Sequence, residues 1–155
     1  MKKVFFLLLT TGLITASCNK HNEVLLPKSM NEVTTKAGKV MEVFGSEQQF
    51  INVISKSVER TFGKNLNYKL QRVDNIEVNN KLFSTVFYKT DNGESTFVIA
   101  TDLTTAEKKV IDCTGSCDCR ERLTIKPDGT ETYECTCNEC KMTVETVEQI
   151  IFIKL

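Results

Sequence analysis

The sequence predicts an α+β domain in which one amphipathic helix packs on an antiparallel β-sheet and a cysteine-rich β-hairpin follows toward the C-terminus. Three observations carry that prediction. Apolar residues recur at helical spacing between Ser46 and Gly63. From Asn67 onward the period switches to that of strands, in runs rich in β-branched and aromatic residues. The segment 113–140 then gathers six of the seven cysteines around the turn "KPDGT", after a long stretch that has none.

The helix is the clearest element. Ser46 with Gln49 three residues on forms a capping box, in which each side chain satisfies a free backbone amide of the other. Phe50, Ile51, Val53, Ile54, Val58 and Phe62 make one apolar stripe, and Gly63 supplies the stop. Such a stripe reads as core, not as a ligand groove. "YKLQRVDNIEV" is the next strand, and Asn79-Asn80 tolerates the positive φ of a tight hairpin turn. "KLFSTVFYK", the turn "DNG" at 91–93, and "STFVIATDL" continue a meander. "AEKKVIDC" adds a further strand, and "KMTVETVEQIIFIKL" one or two more. Residues 39–43, "KVMEV", suit either a first strand or a cover over the helix. A helix followed by an antiparallel meander places the helix across one sheet face. The order resembles the cystatin outline in topology.

The chain opens "MKKVFFLLLTTGLITASC": two lysines, an apolar run from Val4 to Ile14, then small residues. The run is shorter than the roughly 20 apolar residues that span a bilayer, and its layout is that of an export signal. Thr15 and Ser17 suit an ordinary secretory cleavage site. Alternatively, "TASC" resembles the lipobox of bacterial lipoproteins, with Thr15 where leucine is usual. Under that resemblance residues 1–17 are a signal peptide and Cys18 is the lipid attachment site, carrying diacylglycerol and a further acyl chain such as palmitate. Seven cysteines is an odd number for an exported protein. Assigning Cys18 to lipid leaves an even six. Two or more acyl chains anchor a protein stably, so the resemblance implies a membrane-bound cell-envelope protein. Asn19 after the acylated cysteine implies passage to the outer membrane. Residues 18–44 then read as lipid attachment and flexible tether, some 20 residues of which reach roughly 25 Å. Residues 45–155 read as a single domain.

The hairpin turn has a mechanism: Pro127 presets φ, Asp128 follows, and Gly129 sits left-handed. Pairing Lys126 with Thr130 sets Cys119 opposite Cys137. Alternation then puts Cys117, Cys119, Leu123 and Ile125 on one face with Tyr133, Cys135 and Cys137. Arg120, Arg122, Thr124, Thr132, Glu134 and Thr136 take the other. Three chemistries compete for the sulfurs. In an exported chain, Cys113, Cys117, Cys119, Cys135, Cys137 and Cys140 form a disulfide framework, and this reading is favoured. One pairing among many is 119 with 137, 117 with 140 and 113 with 135. Metal is second: Cys117, Cys119, Cys137 and Cys140 could present four thiolates to zinc, or soft ligands to copper(I). Redox or haem chemistry at "CNEC" comes last. That motif ends a strand instead of starting a helix, and the one histidine, His21, lies in the tether.

Charge is balanced, 20 basic against 20 acidic residues, so the chain lacks the basic footprint that nucleic acid requires. No imidazole accompanies a nucleophile in the domain and no Gly-rich phosphate loop appears, which argues against an enzyme and against a bound cofactor other than the alternative zinc. A non-catalytic binding module, attached to the membrane and facing another envelope or extracellular protein, is the expectation. The segment from Ser46 to Ile111, with "GESTFVIATD", also resembles the propeptides of streptopain-type cysteine proteases and their free-standing inhibitors. That resemblance implies an inhibitor that occludes a protease.

Overall fold

The computed structural model describes residues 26–63, 66–115 and 118–147. Its organising element is a five-stranded antiparallel sheet. The strands are β3 (Tyr68–Val78), β4 (Lys81–Thr90), β5 (Gly93–Asp102), β6 (Lys108–Thr114) and β9 (Lys141–Val147), in the spatial order β3-β4-β5-β6-β9. Asn79 and Asn80 both take positive φ, 49° and 62°, so the β3–β4 connection is the tight turn that pair predicts. A bulge at Gln71 lets Leu70 face Tyr88 while Arg72 faces Phe87.

The helix, α2 (Glu47–Phe62), begins where its capping signal places it: the Ser46 hydroxyl accepts from the Gln49 amide. The Gln49 side chain reaches back one residue further than the standard box, accepting from the Gly45 N–H at 2.7 Å. Phe50, Ile54 and Val58 from α2 pack on Val86, Tyr88, Phe97, Ile99 and Val110 of the sheet. Ile51, Val53 and Phe62 sit at the edge of that cluster. Ser57, buried beside them, bonds the Tyr88 hydroxyl at 2.9 Å and so satisfies two polar groups inside an apolar layer.

The tether expected over 18–44 is folded from Leu26 onward. A short helix α1 (Lys28–Asn31), β1 (Glu32–Thr34) and β2 (Val40–Glu42) form a small unit that closes one end of the helix face. Its composition is polar, but Val43 and Phe44 are almost fully buried, and Phe44 meets the Phe50 ring edge-on at 4.9 Å between centroids. Lys108 clasps this unit to the sheet, its Nζ donating to the carbonyls of Glu42 and Val43 at 2.9 Å each.

The expected outline of a helix on a single sheet, with the hairpin as an appendage, is corrected by the opposite face. There β7 (Glu121–Ile125) and β8 (Glu131–Cys135) form a separate two-stranded sheet. Leu123, Ile125 and Tyr133 lie over Phe83, Val98, Ala100 and Ile111. The protein is therefore three layers, sheet-dominated: helix, five strands, hairpin. The physical reason is that β5 is buried at seven consecutive positions, Ser95 to Thr101, so both of its faces need covering.

Candidate functional site

The turn residues set the hairpin register as expected. Lys126 donates to the Thr130 carbonyl at 2.9 Å, Gly129 has φ 85°, and Leu123 pairs with Tyr133. Glu121 then opposes Cys135, and Thr136 donates its N–H to the Arg120 carbonyl. Beyond that point the ladder ends, and a turn in which the Cys140 N–H donates to the Cys137 carbonyl at 3.1 Å folds Cys140 back. This is why two of the three expected pairings change. Cys113 bridges Cys135, whereas Cys119 bridges Cys140 instead of the directly opposed Cys137, which excludes the expected bridges 119 to 137 and 117 to 140. Cys137 is disulfide-bonded too. Cys18 and Cys117 lie outside the described residues.

The two described bridges have different surroundings. Cys113 is wholly buried in β6, and its backbone N–H donates to the Glu121 carboxylate at 2.9 Å. The second Glu121 oxygen accepts from the Thr96 hydroxyl at 2.7 Å. Burial, the dominant effect, pushes Glu121 up to about 7 in spite of those two donors, with the nearby Asp112 charge adding to the shift. The Cys119–Cys140 bridge lies at the rim, where Cys140 is half-buried. Gly115 backs it, and a Cβ there would stand 2.6 Å from the Glu139 carbonyl and 3.0 Å from the Cys119 sulfur. Only glycine lets the strand approach the "CNEC" turn so closely. The sulfurs of Cys119, Cys137 and Cys140 all lie within 4.8 Å of one another. Three of the four sulfurs expected to hold a metal thus converge, all of them in disulfides and none as a thiolate; the fourth, Cys117, lies outside the described residues.

Sequence reasoning missed a second feature on the helix side. A cavity of about 550 Å³ lies between α2 and the β6–β9 edge, with Gln49, Asn52 and Lys56 on one wall and Asp112 and Glu145 on the other. Arg60 pairs with Glu145, and Lys56 approaches the same carboxylate at 3.8 Å. Asp112 is fully buried, and neither of its carboxylate oxygens has a hydrogen-bond partner among the described residues, the Ser57 hydroxyl being engaged with Tyr88. Burial raises it to about 6, while Ser57 and Arg60 nearby pull it partly back. The available signal was a charged residue inside the apolar run "VIDC" of a central strand, where an acid is rarely placed without a reason.

Compared with protein-family models, with curated proteins and with solved structures, the chain matches none. Among the described residues no helix is long and apolar enough to cross a membrane. The reading of function therefore rests on residues and geometry.

Proposed function

We propose that the protein is a lipid-anchored component of the bacterial cell envelope, held at the outer membrane through Cys18, whose folded part is a non-catalytic binding module. The observation that carries the binding role is the state of the hairpin. Disulfides fasten it at Cys113–Cys135 and at Cys119–Cys140, while Arg120, Arg122, Thr124, Glu134 and Thr136 stand exposed on its outer face. A polar surface on a covalently fixed β-ribbon loses little conformational entropy on binding, which is the physical advantage of preorganisation. The partner is another envelope or extracellular protein. The charged signal, the lipobox-like "TASC" and the even cysteine count after Cys18 support the anchor.

The anchor and the binding face are tested separately. Labelled palmitate is expected in the wild-type chain and not in Cys18→Ser; equal labelling of both removes the anchor. For the face, in-cell cross-linking of wild type is compared with Arg122→Glu and with Lys69→Glu, a control on β3. Loss of one discrete cross-linked species in Arg122→Glu alone supports the hairpin face. Retention in both variants rejects it.

A further inference from the structure

The three convergent sulfurs have a chemical capacity that the stapling role does not use. We infer that Cys119, Cys137 and Cys140 form a reduction-gated thiolate site for one thiophilic metal ion, zinc or copper(I). This inference goes beyond the proposed anchoring and binding role and does not depend on either.

Spacing is the first argument. Thiolates about 2.3 Å from a tetrahedral ion stand roughly 3.8 Å from one another. The Cys119, Cys137 and Cys140 sulfurs already lie within 4.8 Å of one another, and the Cys137 and Cys140 sulfurs, which belong to different bridges, are 2.9 Å apart. Once the bridges open, the bonded Cys119 and Cys140 sulfurs must part by about 2 Å and the Cys137 and Cys140 sulfurs by about 1 Å for one ion to take the place of the sulfur–sulfur bonds. The backbone is the second argument. The Cys-x-x-Cys turn closed by the Cys140 N–H to Cys137 carbonyl bond presents two sulfurs side by side, and Gly115 behind it holds the turn against the strand carrying Cys113. The backbone thus holds the three sulfurs close together, and reduction turns them into ligands.

Selectivity of reduction is the third argument. Thiol–disulfide exchange needs access to a sulfur and a leaving thiolate that is not penalised. A thiolate released at Cys113 would be buried next to the Glu121 carboxylate, which raises its energy. Cys135, Cys137 and Cys140 are all half-buried, and Cys119 is buried like Cys113, so what separates the bridges is the Glu121 carboxylate beside Cys113. The Cys113–Cys135 bridge therefore stays closed and keeps the hairpin in place. The balance is simple. A dithiol delivers two electrons and two protons to Cys119–Cys140 and leaves as its own disulfide. A second dithiol does the same at the bridge that holds Cys137. The metal then displaces the protons of three thiols to solvent.

The experiment uses the purified chain, handled anaerobically and titrated with a dithiol. Zinc alone and copper(I) alone are offered in parallel, with bound metal measured by elemental analysis and free thiols by alkylation and peptide mapping. Expected is no uptake when oxidised and one ion per chain after partial reduction, with Cys119, Cys137 and Cys140 becoming alkylatable while Cys113 and Cys135 do not. Uptake in only one of the two arms identifies the ion. Cys137→Ser should weaken binding by more than the roughly 10–100-fold typical of losing a supporting group. The paired Cys113→Ala and Cys135→Ala substitutions should still bind one ion but more weakly, because that bridge holds the hairpin in place. No uptake by either metal overturns the inference, as do binding that survives Cys137→Ser and reduction of Cys113–Cys135 ahead of the rim. Loss of the far-ultraviolet β signal before any metal is bound overturns it equally.

Discussion

The two faces of the central sheet are covered by different means. On the helix side eleven buried apolar residues among those described form one cluster, built around Phe44, Phe50, Tyr88 and Phe97. On the hairpin side the buried cluster is Phe83, Val98, Ala100 and Ile111, with three half-buried hairpin side chains above it. At about 25 cal/mol per Å² of apolar surface removed from water, the smaller cluster stabilises its layer less than the helix-side cluster does. The second face adds covalent bonds and polar ties, among them Lys81 to Glu131 at 2.8 Å and Thr96 to Glu121. Where apolar area runs short, sulfur supplies the closure, as small exported domains commonly do.

The largest expected effect tests the helix side. Phe50→Ala removes a fully buried ring that packs against Phe44, and should cost about 3–5 kcal/mol, enough to threaten the whole fold. Urea denaturation followed by circular dichroism measures it. Next comes the hairpin side: replacing both Cys113 and Cys135 by alanine should cost about 3 kcal/mol, the value expected for releasing a loop of that length. The comparison is sharpened by where the loss appears. Hydrogen exchange should accelerate in β7 and β8 while α2 and β4 keep their protection. Equal acceleration on both faces would mean that the layers are one cooperative unit.

These two faces were unequally legible in the sequence. Local rules sufficed for the helix, the Asn79-Asn80 turn, the meander and the hairpin register, because caps, turn residues and alternation act over a few residues. Three things were not local. The placement of the hairpin over the sheet follows from two-sided burial of β5, which the run "STFVIAT" signals only when read as a strand covered on both faces. The pairing of Cys119 with Cys140 depends on a turn beyond the end of the ladder, where register arithmetic no longer applies. The folded unit at 26–44 is polar in composition, and its role rests on Val43, Phe44 and the reach of Lys108. Of the candidate site, Cys113, Cys119, Cys135, Cys137 and Cys140 were named from sequence, and Asp112 and Glu121 were not.

Each face also carries one buried acid, which gives a pH test of intermediate size. Glu121 has a folded-state pKa raised from 4.5 to about 7, so the folded state holds the proton more tightly than the unfolded chain does. Its contribution is therefore complete below about pH 4.5 and lost as the pH rises toward 7, the reverse of ordinary acid denaturation. Allowing for screening of a group that is not fully enclosed, the loss should be about 2 kcal/mol. Glu121→Gln should flatten that slope. Asp112→Asn should act on the same side at lower pH, between 3.8 and about 6. Asp102 works in the opposite sense: the Thr105 and Thr104 backbone N–H groups hold it below its usual range, so its contribution is lost as the solution becomes strongly acidic. Stability measured from pH 4 to 8 in the wild type and in Glu121→Gln separates the hairpin-side acid from the rest.

The smallest effect returns to the helix side and asks how much its cap matters beside its core. Ser46→Ala removes the acceptor for the Gln49 N–H and leaves one of the first-turn amides to solvent. The cost should be about 1 kcal/mol. Gln49 itself still bonds the Gly45 amide, so Gln49→Ala in the Ser46→Ala background should add a further, smaller loss. If the two substitutions add independently, the two halves of the cap are separate devices. A double-mutant coupling above about 0.5 kcal/mol would show that the two halves of the cap act as one at the entry into α2.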